Sequence, residues 1–149
     1  MSFSDDIAKF AVKVQDNSDR VVRSTVFKIM ERIDMRSPVG NPALWASKPS
    51  KGYVGGHFRA NWQLGIGSLA GGEIAGHNYS VALSREKAKM PEKAAGKVFY
   101  YGNNLPYAQV LENGFTGKSG SRQAPHGMVG ITVVEFGGIV NQAVAEVNK

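Results

Sequence analysis

Apolar residues, with one threonine among them, recur every three or four positions along the first 35 residues of the chain. They form one stripe made of Phe3, Ile7, Phe10, Val14, Val21, Thr25, Ile29 and Ile33. This spacing predicts a long amphipathic N-terminal helix over residues 1–36. Asn17 and Ser18 interrupt the stripe, so a kink or two shorter helices are also compatible with it. Ser2 or Ser4 can cap the start of the helix.

Two later segments combine glycine and proline without a regular apolar period. Residues 37–56 hold three prolines and four glycines, and residues 114–127 form a second glycine-rich stretch. Both are predicted to be extended loops. Pro38 ends the preceding helix, because the residue before a proline is disfavoured in helical geometry. The first loop also carries Trp45 and Tyr53, which either cover the edge of the core or become buried only on assembly.

Between these loops the apolar period changes from helical spacing to alternation. Residues 57–66 alternate, which predicts a half-buried strand. Gly71 and Gly72 predict a turn into a weaker second strand from Glu73 to Leu83. A third strand is predicted from Val98 to Tyr101. Residues 84–97 are polar and basic, so they form either a loop or a short surface helix.

The C-terminal third of the chain favours helices. Pro106 can open a short helix that ends at Asn113 and Gly114. From Met128 onward alternation gives way to helical spacing, and either a strand followed by a helix or one long helix fits. The chain is therefore predicted to be one α+β domain over residues 1–149. In that fold an antiparallel β-sheet packs against the long N-terminal helix and a C-terminal helix.

Composition narrows the class of protein. The chain has 149 residues, of which 42% are hydrophobic and 20% charged, as expected for one globular domain. It has no cysteine, which excludes disulfide scaffolds, cysteine nucleophiles and thiolate zinc sites. No stretch approaches the ~20 apolar residues of a membrane span, and the N-terminus is acidic where a signal peptide is basic. We expect a soluble, unprocessed protein that does not bind a membrane.

The net charge of +6 is concentrated in two segments, residues 36–59 and 85–97. The residues that could face DNA are Arg36, Lys48, Lys51, Arg59, Lys87, Lys89 and Lys93. Basic segments of this kind attract phosphate backbones, and the interleaved aromatic rings could stack on bases. A nucleic-acid-binding module that uses these two segments is therefore one candidate function, and merely solvated loops are the simpler interpretation.

No catalytic or metal-binding pattern emerges from the motifs. Gly117 to Ser119 resembles the end of a phosphate-binding loop, but Glu112 stands where that motif needs its first glycine. The histidines are His57, His77 and His126, and none has a second ligand at the local spacing of a metal site. We expect no enzymatic activity, no metal and no cofactor.

Three segments, taken in order, are more specific than any one of them. They are Arg36–Gly40 (RSPVG), Gly55–Trp62 (GGHFRANW), and Asn104–Gly114 (NLPYAQVLENG) followed by Gln123–Val129 (QAPHGMV). This order resembles the tail-completion and head–tail joining proteins of long-tailed double-stranded DNA bacteriophages. The resemblance covers nearly the whole chain. Its most specific part is the PYAxxxExG segment with the APxGM segment downstream.

The resemblance implies a non-enzymatic structural protein of the virion, located at the phage neck or tail end. Members of this family are small α+β subunits with an antiparallel sheet flanked by helices, and they form rings that are expected to be hexameric. The expected partners are other copies of the chain, the head-side connector or adaptor, and the tail tube or tail terminator. Non-specific contact with the genome DNA is also compatible with this place. The expected location is the virion, with assembly in the host cytoplasm.

A ring needs heterologous interfaces, and exposed loops that carry aromatic rings are typical of them. The N-terminal helix is also long for a domain of this size, so part of its stripe is expected to pack against another chain. The candidates for subunit contacts are Trp45, Tyr53, Phe58, Trp62, Tyr107, Leu111, Glu112 and Phe115. Glu112 lies near the end of a predicted helix, where the helix dipole disfavours a carboxylate. It either faces solvent or pairs with Arg36 or Arg59.

Overall fold

The structure, a computed structural model, describes residues 2–45, 47–114 and 121–149. The α-helices among these residues are α1 (Phe3–Arg36), α2 (His57–Ala60), α3 (Ala82–Lys87), α4 (Ala108–Asn113), α5 (Val129–Val134) and α6 (Phe136–Val147). The strands are β1 (Trp62–Ile66) and β2 (Phe99–Asn103), and short 3₁₀ turns span Pro42–Leu44 and Tyr79–Val81. The predicted α+β class is confirmed, with a long N-terminal helix, a C-terminal helix and an antiparallel sheet.

Helix α1 runs without interruption from its cap to its end. Ser2 is the N-cap, and its side chain and that of Asp5 form a reciprocal capping box. There is no break near Ser18, whose hydroxyl donates to the carbonyl of residue 14 at 2.9 Å within the helix. The helix ends at Arg36, and its C-cap Ser37 has extended backbone angles, as the following proline predicts.

The core surrounds the C-terminal half of α1 in two adjoining clusters. One consists of Ile33, Phe58, Trp62, Leu105, Ala124 and Met128, and the other of Met30, Leu64, Met90 and Ala94. Trp62 is central, because its ring stacks on Tyr101 with centroids 5.4 Å apart. Its Nε1 donates to the Ser37 hydroxyl at 2.7 Å, which links the sheet to the end of α1.

The two strands pair antiparallel, with Trp62 opposite Asn103 and Ile66 opposite Phe99. The strand predicted at Val98–Tyr101 is therefore present, shifted towards its C-terminal side. The strand predicted over 57–66 is wrong for its first five residues, because residues 57–60 form helix α2 and Asn61 is its C-cap. Gly56 starts this turn with a φ of 106°, a left-handed conformation that glycine adopts without strain.

The strand predicted over 73–83 is wrong, and a loop followed by α3 stands in its place. Amide side chains form the hydrogen bonds to the backbone of this loop that a neighbouring strand would otherwise have formed. Asn61 donates to the Ile74 carbonyl at 3.0 Å and accepts from the Ile74 N–H at 2.7 Å. Gln63 and Asn104 donate to further carbonyls of this loop. The segment therefore stays irregular while its backbone is satisfied.

Glu86 joins α3 to β1. Its carboxylate is fully buried and accepts the Leu64 N–H at 2.8 Å, and Arg85 and Lys89 donate to it at 2.7 and 2.6 Å. Burial alone would raise the pKa of Glu86, but these donors outweigh it and hold the pKa below the usual value. The short helix that was one of two interpretations of residues 84–97 is present at their start.

The C-terminal segment forms two helices, so neither the strand followed by a helix nor the single long helix is correct. The break lies at Glu135, whose carboxylate accepts from Arg32 at 2.5 Å and from Arg36 at 2.6 Å. These two bonds fix the corner between α5 and α6 against the last turns of α1. Helix α6 then runs back along α1, and Lys28 binds Glu146 at 2.6 Å near its end.

Candidate functional site

An open groove of about 700 Å³ lies between residues 38–58 and helix α4. Its apolar and aromatic lining consists of Val39, Leu44, Trp45, Tyr53, Val54, Phe58, Tyr107 and Leu111. We call it the loop groove. A groove lined mainly by aromatic and aliphatic side chains is typical of binding sites and of the centres of protein interfaces.

The segments that carry the family resemblance converge on the loop groove. The first contributes Val39, the second Phe58, and the third Tyr107. The QAPHGMV segment contributes Gln123, whose side-chain oxygen accepts the Val39 N–H at 3.1 Å. Segments that lie far apart in the sequence therefore form one surface, although nothing in their spacing predicts this convergence.

Two rings of the first loop stand at the mouth of the loop groove. Trp45 and Tyr53 pack edge to face with centroids 4.8 Å apart. The Tyr53 hydroxyl lies over Gly40, where an added Cβ would come within 2.0 Å of it, and the left-handed φ of 79° also favours glycine there. Trp45 and Tyr53 remain 41% and 40% exposed. They do not seal the core of the single chain, and both are available for contacts with a partner.

The other sequence candidates fall into different environments. Phe58 and Trp62 are buried in the core of the single chain, at 6% and 4% exposed, and Phe58 also reaches the lining of the loop groove. Their part in a subunit contact stays a prediction. Tyr107 is exposed, and Leu111 is half-buried against the core. Phe115 lies outside the described residues.

Glu112 has a structural role that the sequence did not reveal. Its carboxylate accepts the backbone N–H groups of Met128, Val129 and Gly130 at 2.7, 3.1 and 2.8 Å. These donors lie at the start of α5, where free N–H groups and the helix dipole favour a negative charge. The predicted partners Arg36 and Arg59 are wrong, because backbone groups take the place of a basic side chain.

Gly127 shapes the contact between the two most specific segments of the resemblance. Its φ of 76° is left-handed, and an added Cβ would lie 2.5 Å from a Glu112 carboxylate oxygen. Glycine therefore leaves the space that lets the carboxylate reach the N–H groups of the next turn. The glutamate of PYAxxxExG therefore links α4 to α5 by hydrogen bonds, and the glycine of APxGM leaves the space for them.

Most of the nominated basic residues are bound to carboxylates of the same chain. The pairs are Arg36 with Glu135, Arg59 with Asp34, Lys87 with Glu31, Lys89 with Glu86 and Lys93 with Asp16. Lys48 and Lys51 differ, because they are exposed and form no ion pair with any described residue. Among the nominated residues, the positive charge open to an external anion therefore lies on the loop that carries Trp45 and Tyr53.

The first half of α1 is a second exposed apolar surface. Every residue from 2 to 16 is exposed, including the stripe positions Phe3, Ile7, Phe10 and Val14. We call residues 3–16 the helical arm, which is about 21 Å long at ~1.5 Å per residue. Helical spacing places the stripe on the same side of α1 as Lys28, which binds α6. The stripe thus lies on the same face of α1 that packs against α6 further along, but in a region that α6 does not cover.

The helical arm and the loop groove lie at opposite ends of α1. The groove is lined by Pro38 and Val39, which directly follow the helix. Helix α1 has 34 residues and therefore spans about 51 Å at ~1.5 Å per residue. Because the helix is continuous, the arm of one chain cannot fold into the groove of the same chain.

A further apolar patch lies where α5 meets α6. Val133, Val134 and Phe136 are exposed, at 66%, 84% and 52%. A smaller groove of about 270 Å³ beside them is lined by α1 and by both strands. The single chain thus leaves several separate apolar surfaces open to solvent, which is more than a monomer normally shows.

Two of the histidines meet beside the loop groove. The rings of His57 and His77 lie 5.4 Å apart, and the His57 nitrogens contact the Gly76 carbonyl at 2.5 Å and Glu73 at 2.6 Å. The bond to Gly76, followed by that to Glu73, raises the pKa of His57 against the opposing effect of burial. Among the described residues, no group of three or more His, Asp or Glu side chains is placed to hold a metal ion.

No protein-family model matches the chain, and comparisons with curated proteins and with solved structures give no match. Within the described residues, none of the helices combines the length and the apolar character needed to cross a membrane.

Proposed function

We propose that the protein is a non-enzymatic structural subunit of a bacteriophage virion that forms a ring at the neck, in tail completion or head–tail joining. The observation that carries this proposal is the pair of exposed apolar surfaces, the helical arm and the loop groove, at opposite ends of α1. Two different surfaces on one subunit produce head-to-tail contacts, and such contacts close into a ring when the rotation permits.

The order of the sequence segments supports the same proposal. The segments that resemble tail-completion and head–tail joining proteins converge on the loop groove. The groove is also rich in the aromatic residues that are enriched at the centres of interfaces. A hexameric ring, in contact with the connector on one side and with tail proteins on the other, follows from the resemblance.

A nucleic-acid-binding module is the second candidate. Lys48 and Lys51 are exposed on the loop that also presents Trp45 and Tyr53, and bases stack on such rings beside basic groups. The other nominated basic residues form ion pairs within the chain, so only a small positive surface would be available to a nucleic acid. It is compatible with the first candidate, because genome DNA passes through a neck ring.

The purified protein tests the leading candidate. Light scattering and native mass spectrometry over a wide range of concentrations should show one closed oligomer, expected to be a hexamer, and negative-stain images should show a ring. Antibody labelling of phage particles should place it at the neck or the tail end. A protein that remains monomeric at every concentration and has no copy in mature particles would contradict the proposal.

A further inference from the structure

The structure also indicates how the ring closes. We infer that the helical arm of one copy docks in the loop groove of the next copy. This inference rests on the proposed function and deepens it, because it names the two surfaces that meet. It makes the first half of α1 the element that links subunits and leaves the second half as the support of the core.

The helical arm and the loop groove both present exposed apolar side chains, and the arm has the shape of a helix that can lie in a groove. The arm presents Phe3, Ile7 and Phe10 on one side of a helix, at the spacing by which amphipathic helices anchor in grooves. The groove presents Trp45 and Tyr53 at its mouth, half-exposed and already packed against each other. Docking would remove both sets of side chains from water, which is the main driving force for association.

The charges of the two partners are also complementary. The arm begins with Asp5 and Asp6, next to the N-terminus of α1. Residues 36–59 contain no acidic residue, and the exposed Lys51 directly precedes a glycine that lines the groove. Arg122 also lines the groove, and its guanidinium donates to the Leu44 carbonyl at 3.3 Å. An acidic helix start would therefore enter a basic rim.

Pairing of two arms is the competing arrangement. Asp6 and Lys13 lie seven residues apart on one flank of the stripe, so they could meet in an antiparallel pair. Such a pair is isologous, however, and uses the same surface twice. It would leave the loop groove empty and could not by itself produce a closed ring. Docking in the groove accounts for both exposed surfaces with a single interface.

Two double variants and one single control variant distinguish docking in the groove from pairing of two arms. The arm variant is Ile7→Asp with Phe10→Asp, and its matched control is Val12→Asp, which is exposed on the opposite side of the same helix. The groove variant is Leu44→Asp with Val54→Asp, both exposed lining residues. The arm and groove variants should be folded monomers, whereas the control should still form rings.

Mixing the two monomeric variants provides the decisive result. The arm variant retains its groove and the groove variant retains its arm, so the mixture should form a one-to-one heterodimer and nothing larger. Under arm pairing, the groove variant would dimerise alone and the mixture would add no new species, which would overturn the inference. Rings that persist in both variants would also overturn it while leaving the proposed function intact. Wild-type protein that is monomeric throughout would instead contradict the proposed function itself.

Charge reversal tests the polar part of the contact. Asp6→Lys should raise the concentration needed for assembly by roughly tenfold or less, as expected for a pair at the rim of an interface. Lys51→Glu in the same chain should recover part of that loss, because the reversed charges again attract each other. A double variant that assembles no better than Asp6→Lys alone would show that these charges do not meet.

Discussion

At the residue scale, the most consequential side chain is Glu112. Changing Glu112→Gln replaces one carboxylate oxygen by an NH₂ group that faces backbone donors at the start of α5. We expect the free energy of unfolding to fall by roughly 1–3 kcal/mol, the usual cost of losing hydrogen bonds to a charged group. Urea denaturation of the monomeric arm variant, with and without the change, measures this loss apart from assembly.

Glu146→Gln is the matched control for this prediction. It makes the same chemical change at an exposed glutamate that pairs with Lys28 on the surface. Exposed ion pairs contribute little, so its effect should be clearly smaller than that of Glu112→Gln. Equal losses in the two variants would show that the bonds from Glu112 to the α5 backbone do not stabilise the fold.

His57 predicts a pH dependence in the loop of residues 67–78. Because its pKa in the folded protein is raised above the usual 6.5, the protonated form stabilises the contacts with Gly76 and Glu73. That stabilisation is complete below the usual pKa and is lost as the pH rises through the raised value. Amide exchange in this loop, corrected for the intrinsic pH effect, should therefore increase above neutral pH.

Two histidine variants separate this effect from general loosening of the fold. His57→Gln should abolish the pH dependence, because no proton then binds at that position. His77→Gln should retain it, since the His77 ring only lies beside His57, at 5.4 Å. A dependence that survives in His57→Gln would assign the titration to another group.

At the element scale, local sequence determined the helices better than the strands. The period of apolar residues predicted α1 because the stripe recurs on both sides of Asn17 and Ser18, and the proline at position 38 marked the end of this 34-residue helix. Residues 57–60 alternate like a strand, but Phe58 and Trp62 lie four apart and enter the same core cluster, which a helical turn also permits. Periodicity over so few residues could not distinguish the two structures.

The candidate site was harder to predict for a related reason. Its residues come from four distant segments, and their meeting depends on tertiary contacts such as the bond between Val39 and Gln123. The role of Glu112 depends on donors from residues 128–130, which no local pattern connects to it. The sequence identified Trp45, Tyr53 and Tyr107 as interface candidates, but could not show that Trp62 belongs to the core.

Helix α1 should show two levels of protection against amide hydrogen exchange along its length. The described contacts of the arm are almost entirely within the helix, and short unsupported helices are only marginally stable in water. Amides of residues 5–16 should therefore exchange fast in the monomeric groove variant and slowly in the proposed wild-type ring, as measured by hydrogen exchange. Residues 25–36 of the same helix are the internal control, because the core protects them in both forms. Slow exchange of the arm in the monomer would contradict this prediction.

At the scale of the whole molecule, the chain combines a tightly bound body with open ends. Ion pairs fix α5 and α6 to α1, and a buried glutamate fixes α3 to β1. The exposed apolar area is concentrated on the arm, around the loop groove and at the α5–α6 corner. A rigid body with separate exposed apolar surfaces is well suited to form a larger assembly in one fixed geometry.

The internal ion pairs also limit how this molecule can bind DNA. Of the seven basic residues nominated from the sequence, only Lys48 and Lys51 form no ion pair with a described residue, so about two phosphates per protomer should be neutralised. For the monomeric arm variant, the logarithm of the DNA association constant should then fall against the logarithm of salt concentration with a slope of about −2, at ~0.9 per phosphate. Lys48→Gln with Lys51→Gln should bring the slope close to zero, whereas Lys89→Gln should change it little because the buried carboxylate of Glu86 already binds that lysine at 2.6 Å. A slope of about −6 would mean that the five paired side chains leave their carboxylates and that all seven bind DNA, and the protein would then be a nucleic-acid-binding module in its own right.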